Sequence, residues 1–202
     1  MFDDVEVAAS AILILTVCTS LIGLFRVPAL VDKCLFRPYY LVRRKQYATI
    51  VTSGLVHADI GHLLFNMFTF YFFAFPLERY IGSALFLMLY LTGLIASHGC
   101  TFLKQRDNPR YASLGASGAI SAVLFAYIVF FPTTTLMIIT IPVPIPAGLF
   151  AVGYVGYSDW ASTQSRGRIN HDAHRCGALS GRGFAAISDP SAIVALLDLV
   201  GS

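Results

Sequence analysis

Runs of apolar residues, each about as long as a membrane-spanning helix, constrain this chain more than any other feature. A helix that crosses the hydrocarbon core of a bilayer needs about 20 mostly apolar residues. Charged residues or prolines close most of these runs, which cover residues 8–25, 60–75, 83–103, 115–131, 147–160 and 172–187. The pattern predicts an all-α membrane protein, a bundle of six transmembrane helices in a single domain over residues 1–202.

The composition agrees with this prediction. Hydrophobic residues make up 56% of the chain and charged residues only 12%, whereas soluble domains average about 25% charged residues. A soluble fold of this size could not bury so much apolar surface. The net charge of +3 is too small to indicate nucleic-acid binding, and the cations cluster between the apolar runs. They are typical of residues that flank a lipid bilayer.

The connecting segments also carry information. Residues 27–57 mix cations with aromatic and aliphatic residues, which suits a segment that lies on or partly in the membrane interface. Pro76 is predicted to end the second helix. Pro142, Pro144 and Pro146 stand at alternate positions, which a helix interior does not tolerate, so they predict a loop or the start of a helix.

The four cysteines show no short spacing. They are Cys18, Cys34, Cys100 and Cys176. Disulfide and zinc frameworks usually show closely spaced pairs, so the sequence argues against both kinds of framework.

Polar residues inside apolar runs are candidates for function, because they are costly in a bilayer. His62 and Asn66 stand four residues apart and therefore share one helical face. Both side chains can donate hydrogen bonds. The alternative is that they hydrogen-bond to a neighbouring helix and serve only to hold helices together.

The fourth run opens with Gly115-Ala116-Ser117-Gly118. A serine at the start of a helix lies beside backbone N–H groups that have no partner within the helix. Those donors and the helix dipole can stabilise an oxyanion next to the hydroxyl. Taken alone, the pattern is also typical of close packing between helices through small residues.

The sixth run carries His174, Gly177 and Gly181 on one helical face. Glycines four residues apart allow close helix packing, which could bring His174 within reach of Ser117. A neutral imidazole can take the proton of a serine hydroxyl near pH 7. Asp172 should face another way, so the pattern predicts a dyad and not a triad.

At these residues the chain resembles the rhomboid intramembrane serine proteases. The resemblance covers about residues 47–191, and its motifs occur in the family's order and spacing. The motifs are His57-Ala-Asp-Ile-Gly-His62-Leu-Leu-Phe-Asn66, Leu77-Glu78-Arg79-Tyr80-Ile81-Gly82, Gly115-Ala-Ser117-Gly118 and Ala173-His174-x-x-Gly177-x-x-x-Gly181.

The resemblance implies an endopeptidase that cuts transmembrane segments of membrane proteins without a metal or cofactor. It implies Ser117 as nucleophile and His174 as general base. The oxyanion would be held by His62, Asn66 and the Ser117 N–H. His57 would shape the first loop, and the site's glycines would let helices pack closely (Gly115, Gly118, Gly177 and Gly181). We expect a multi-pass protein of a bacterial cytoplasmic membrane.

The chain departs from the family pattern in two regions. Arg43-Arg44-Lys45-Gln46-Tyr47 stands where the family has a Trp-Arg pair. Arg175 and Arg182 directly follow His174 and Gly181, where apolar residues are usual. With Arg168 they recur every seven residues, on a stripe about 100° round the helix from His174. This stripe would face lipid or a partner.

Membrane orientation stays open. Most cations lie in the first, third and fifth loops, which the positive-inside rule places in the cytoplasm. The resemblance implies the opposite side for the first loop and for the mouth of the site.

Two other functional classes remain as alternatives. A catalytically silent rhomboid-like protein would bind the transmembrane helices of client proteins without cutting them. A transporter would use the polar residues to line a pathway, but it would have to acquire these motifs in order by chance. Other intramembrane proteases fit less well, because the chain has neither a His-Glu-x-x-His zinc motif nor paired intramembrane aspartates.

Overall fold

The computed structural model describes residues 6–138, 141–147, 149–150 and 171–192. Within these residues the chain is mainly helical, with one small antiparallel sheet. In chain order the elements are α1 (Val7–Phe25), α2 (Pro28–Cys34), α3 (Pro38–Arg43), α4 (Thr49–Thr52), a 3₁₀ turn (Ser53–Leu55), α5 (Ile60–Ile81), α6 (Ser83–Gln105), α7 (Ser117–Phe130), β1 (Thr135–Ile138), β2 (Ile141–Pro146) and α8 (His171–Ser188).

Among the described residues, α1, α5 and α6 are long and apolar enough to cross a membrane, and α7 is a shorter apolar helix. The predicted sixth run forms α8. The predicted fifth span, residues 147–160, lies almost wholly outside the described residues. A mostly helical membrane protein is therefore confirmed, and the count of six spans stays a prediction.

The helix α7 lies at the centre of the bundle. It packs against α5, α6 and α8, and its side chains are buried nearly all the way round. The outer helices show the opposite pattern, because one face of α5 exposes large apolar side chains such as Leu64, Phe65 and Phe68. An apolar outer face is expected where lipid replaces water as the solvent.

The prediction that Pro76 ends the second helix is wrong. Helix α5 runs through Pro76 to Ile81. A proline removes one backbone hydrogen bond from a helix, but membrane bundles tolerate this where neighbouring helices support the segment. The residues beyond Pro76 are supported in this way, because Glu78 is 2% exposed and anchored to α1.

Glu78 caps the N-terminus of α1. Its carboxylate accepts the backbone N–H groups of Ala8 at 2.9 Å and Ala9 at 2.7 Å. It also accepts the Ser83 hydroxyl at 2.5 Å. The first N–H groups of a helix have no partner within the helix, and a negative charge is favourable there. The contact fixes the start of α1 to the end of α5.

The proline-rich stretch after α7 forms a strand, which the sequence did not predict. Strand β2 pairs antiparallel with β1, with Leu136 opposite Ile145. Alternate prolines exclude a helix but fit a two-stranded sheet, because a proline can occupy an edge position that donates no hydrogen bond.

The expectation that the cysteines form no disulfide is wrong. Cys100 in α6 and Cys176 in α8 form a disulfide, with their Cα atoms 6.5 Å apart and a sequence separation of 76. Helix packing brings them together, so no local spacing could indicate the pair. Cys18 and Cys34 are free thiols.

Candidate active site

The candidate site lies where several helices begin or end at one side of the bundle. Helix α7 starts at Ser117, α5 starts at Ile60 and α8 starts at His171. With 14 residues, α7 is about 21 Å long, shorter than the hydrocarbon core of about 30 Å. A helix this short cannot have both ends at the membrane surfaces, so its half-buried first residue, Ser117, can lie below the surface.

The turn before Ser117 requires a glycine. Gly115 has φ +102°, a conformation that L side chains rarely adopt, and its N–H donates to the Ser53 carbonyl at 2.8 Å. A Cβ at this position would lie 2.8 Å from Cε1 and 3.2 Å from Nε2 of His62. The His62 ring therefore covers the backbone two residues before Ser117.

Asn66 lies one turn after His62 on α5. It is 4% exposed, and its buried Nδ2 has no hydrogen-bond partner among the described residues. Buried amide donors normally have a partner. An unpaired donor on the His62 face fits the oxyanion role that the sequence predicts for both residues. That role stays a prediction.

His57 lies behind His62 and is fully buried. Its Nδ1 is 3.1 Å from the Ser20 hydroxyl on α1, and its ring meets the His62 ring edge to face at 4.9 Å. Burial, with a smaller effect from His62, lowers the pKa of His57 to about 3. The side chain is therefore neutral near pH 7 and links α1 to the start of α5.

Helix α8 contacts the α7 backbone directly. A Cβ on Gly177 would lie 2.0 Å from the Gly118 carbonyl oxygen, and one on Gly181 would lie 2.0 Å from that of Ala122. Gly118 in turn lies against Ser97 of α6 and the Ala173 carbonyl. At Gly177 and Gly181 the two helices are thus in close backbone contact. Since α7 and α8 begin at the same side, the half-buried His174 lies at the level of the first turn of α7. Its pairing with Ser117 stays a prediction.

A small cavity of ≈ 20 Å³ lies at this junction. It has room for about one water molecule. The lining comes from α6, from the segment before α7, from α7 itself and from α8: Ser97, His98, Ser113, Leu114, Gly115, Ser117, Gly118 and Ala173. Water is a reactant in any hydrolysis, so a polar cavity of this size beside Ser117 is chemically relevant.

His98 is a buried polar residue that the sequence reasoning missed. Its Nε2 lies 2.9 Å from the Ser53 hydroxyl, and its ring stacks on Phe36 at 4.2 Å. Phe36 also pairs through its backbone with Ser113. His98 thus ties the first loop to the segment that leads into α7. A histidine inside the third apolar run was the available signal, since polar residues within spans are costly.

Comparison with known proteins decides the family. The family model described as "Rhomboid domain" matches residues 44–188, which is most of the chain. The chain belongs to the rhomboid family.

Individual relatives agree. RHOMBOID-like protein 12, mitochondrial, of Arabidopsis thaliana is 31% identical over 69% of this chain and 45% of its own length. Rhomboid protein 1, mitochondrial, of Saccharomyces cerevisiae is 29% identical over 83% of this chain and 50% of its own length. Presenilin-associated rhomboid-like protein A, mitochondrial, of Danio rerio is 31% identical over 65% of this chain and 35% of its own length.

Two facts follow from these relatives. The rhomboid chain spans half or less of the length of each of them. Their names also place them in mitochondria, so they give no support to the expectation of a bacterial cytoplasmic membrane. The apolar helices and the family match support an integral membrane protein of the rhomboid family.

The arginines that depart from the rhomboid pattern lie on the outside of the bundle. Arg175 and Arg182 are both exposed on α8, away from the glycine face that contacts α7. This agrees with the angular offset predicted from the sequence. Arg168 lies outside the described residues. Near the start of α8, Asp172 forms an ion pair with Lys104 at the end of α6, 2.6 Å apart.

Proposed function

We propose that this chain is an intramembrane serine endopeptidase that cuts transmembrane segments of membrane proteins, with Ser117 as nucleophile and His174 as general base. The observation that carries the proposal is the direct backbone contact of α8 with the first turns of α7, through Gly177 and Gly181. Membership of the rhomboid family, which includes serine proteases, supports it.

In the proposed reaction, His174 takes the proton of the Ser117 hydroxyl as the oxygen attacks the carbonyl carbon of the substrate. The carbonyl oxygen becomes an oxyanion, which the Asn66 amide, His62 and the Ser117 N–H stabilise. The C–N bond then breaks, and the departing amine receives the proton from His174. The product of this first half is an acyl-enzyme on Ser117.

Water completes the cycle. His174 takes a proton from water as the water oxygen attacks the acyl carbon, and the bond to Ser117 breaks with return of the proton to the serine oxygen. The small cavity lined by Ser97 and His98 lies next to Ser117 and is where we propose that this water is held.

The test combines covalent labelling with cleavage. The protein is purified in detergent, treated with a fluorophosphonate and incubated with a model transmembrane substrate. We expect labelling and cleavage in the wild type and loss of both in Ser117→Ala. The matched control is Ser121→Ala, also on α7, whose hydroxyl donates to the Ser117 carbonyl at 2.8 Å. We expect it to keep both activities.

A variant of Asn66 tests the proposed oxyanion role. Asn66→Ala should lower the cleavage rate by roughly 10²–10³-fold, the usual effect of losing one oxyanion donor.

Labelling that persists in Ser117→Ala would refute the nucleophile assignment. A folded wild type that neither labels nor cleaves would instead favour the catalytically silent relative that binds transmembrane helices.

A further inference from the structure

The first loop carries a cluster of exposed cations backed by aromatic rings, which we call the Arg43 cluster (Arg43, Arg44, Lys45, Tyr39 and Tyr40). The Arg43 guanidinium lies 4.0 Å from the centre of the Tyr39 ring, and that of Arg44 lies 4.2 Å from the centre of the Tyr40 ring. Such cation–ring contacts hold a guanidinium in place while its charge stays accessible. The cluster is therefore an ordered cationic surface.

The cluster lies at the membrane surface on the side of the candidate active site. The Arg43 Nη1 donates to the Arg106 carbonyl at 3.3 Å, just beyond the end of α6. Helix α6 is long and apolar enough to cross a membrane, so we place its end at the level of the polar interface. The same end of α6 carries Lys104, which pairs with the start of α8.

No protein carboxylate neutralises this surface within the described part of the chain. The ion pairs found there join Arg37 to Asp32, Arg79 to Glu6, Lys104 to Asp172 and Arg106 to Asp107. The three cations of the Arg43 cluster take part in none of them. Their charge is available to a ligand.

Cations also predominate at this end of the bundle. The described basic residues there outnumber the acids Asp32, Asp59, Asp107 and Asp172; they are Arg26, Lys33, Arg37, Arg43, Arg44, Lys45, Lys104, Arg106, Arg110 and Arg175. A surface with this excess of positive charge attracts anions.

Lys45 occupies a backbone position that favours glycine. It has φ +53°, and it ends α3 in a turn in which its N–H donates to the Val42 carbonyl and the Gln46 N–H donates to the Leu41 carbonyl. Glycine is the usual residue at this position. Lys45 therefore occupies a left-handed backbone position at which a glycine would be less strained.

Apolar side chains next to the cations indicate which kind of anion fits. Val42 is 57% exposed, Tyr47 52% and Val51 47%. A small soluble anion would not contact these apolar side chains. A segment with cations beside exposed aromatic and aliphatic residues suits the boundary between lipid headgroups and acyl chains.

We propose that the Arg43 cluster binds the phosphate headgroup of an anionic phospholipid at the membrane surface beside the candidate active site. The arginine side chains, held by Tyr39 and Tyr40, contact the phosphate, and Val42 and Tyr47 contact the acyl region. This binding does not depend on the proposed protease activity.

The test measures lipid retention on the protein purified in neutral detergent. Phosphatidylglycerol or phosphatidylcholine is titrated in at low ionic strength, and bound lipid is counted by native mass spectrometry. The test variant is Arg43→Gln/Arg44→Gln. The matched control, Arg26→Gln/Lys33→Gln, removes the same charge from the same end of the bundle.

We expect wild type and control to retain phosphatidylglycerol in preference to phosphatidylcholine. The Arg43→Gln/Arg44→Gln variant should bind phosphatidylglycerol roughly 30-fold more weakly, at about fivefold per cation near a membrane surface. Added salt should reduce the difference. Lys45→Gln, which leaves both stacked arginines in place, should weaken binding roughly fivefold and serves as the readout if the double variant does not fold.

Three outcomes would overturn the proposal. Equal losses in the test and control variants would mean a diffuse charge effect and no site. Displacement of phosphatidylglycerol by an equal concentration of glycerol 3-phosphate would mean a site for a soluble phosphate. Displacement by an acidic peptide that binds wild type but not the test variant would mean a protein partner.

Discussion

Helices α7 and α8 begin at the same side of the bundle and contact each other over most of their length, but they are held by different means. In α7 eleven of 14 residues are buried, so packing of side chains fixes it on all sides. In α8 both arginines are exposed, and backbone contact at two glycines, a disulfide and an ion pair help to hold the helix in place. We expect α7 to be sensitive to smaller side chains and α8 to larger ones.

The largest effect should come from Gly177→Val or Gly181→Val. The new Cβ would lie 2.0 Å from a backbone oxygen of α7, and a backbone atom cannot rotate away as a side chain can. We expect a loss of more than about 3 kcal/mol of stability, above the usual range for overpacking. Folded yield and thermal unfolding in detergent measure it.

Gly183→Ala is the control, because a Cβ there would lie more than 4 Å from any neighbouring side chain or backbone among the described residues. It should leave stability unchanged or raise it by about 0.5–1 kcal/mol, since alanine is the better helix former. If the Gly177 and Gly181 variants were as stable as Gly183→Ala, the contact between α7 and α8 would not be as close as described.

The second effect concerns the disulfide that fixes α8 to α6. A bond closing a loop of 76 residues stabilises a soluble protein by up to about 4 kcal/mol. Helices inserted in a membrane are already restrained in the unfolded state, so we expect this disulfide to contribute about 2–4 kcal/mol of stability. Cys100→Ser/Cys176→Ser should therefore unfold at lower temperature than wild type, as should wild type in a dithiol reductant.

The control for this pair is Cys18→Ser/Cys34→Ser, which removes the free thiols. It should match wild type and keep its sensitivity to the reductant. A Cys100→Ser/Cys176→Ser variant that was still destabilised by the reductant would show that another group is responsible.

The third effect tests α7. Phe125 is 1% exposed, and Phe125→Ala should cost about 3 kcal/mol, the lower end of the usual range because lipid is itself apolar. Leu179→Ala on α8 removes a side chain that is 51% exposed, and it should change stability by less than about 0.5 kcal/mol. Comparable losses at the two sites, measured by thermal unfolding, would contradict the contrast between the helices.

The smallest effect should come from the ion pair at the start of α8. Asp172→Asn removes the charge that meets Lys104. Both side chains are partly exposed, so the loss should be about 0–1 kcal/mol and should shrink in high salt. Lys104→Met in the Asp172→Asn background should add little. A larger salt-independent loss would mean that Asp172 has another role.

The sequence predicted what local patterns encode. Span-length apolar runs gave the helices around Ser117 and His62, and the spacing of Gly177 and Gly181 gave the face on which α8 packs. In each case the residues that matter lie within one or two helical turns of each other. Periodicity is enough to relate them.

Other features depend on contacts between distant segments, and these were missed. Cys100 and Cys176 meet because α6 packs directly against α8, two helices that are far apart in the sequence. His98 lines the cavity, and its side chain contacts Ser53 and Phe36 of the first loop. Helix α5 passes through Pro76 because Glu78 is fixed to α1, which no pattern near Pro76 reveals.

The disulfide also changes what a chain break would do to this molecule. Ser117 and His174 both lie between Cys100 and Cys176, so they belong to one covalent ring closed by the two sulfur atoms. A single cut anywhere in that ring opens it without dividing it. After a cut between Ser117 and His174, the fragment that carries Ser117 and the fragment that carries His174 would remain one molecule until the disulfide was reduced.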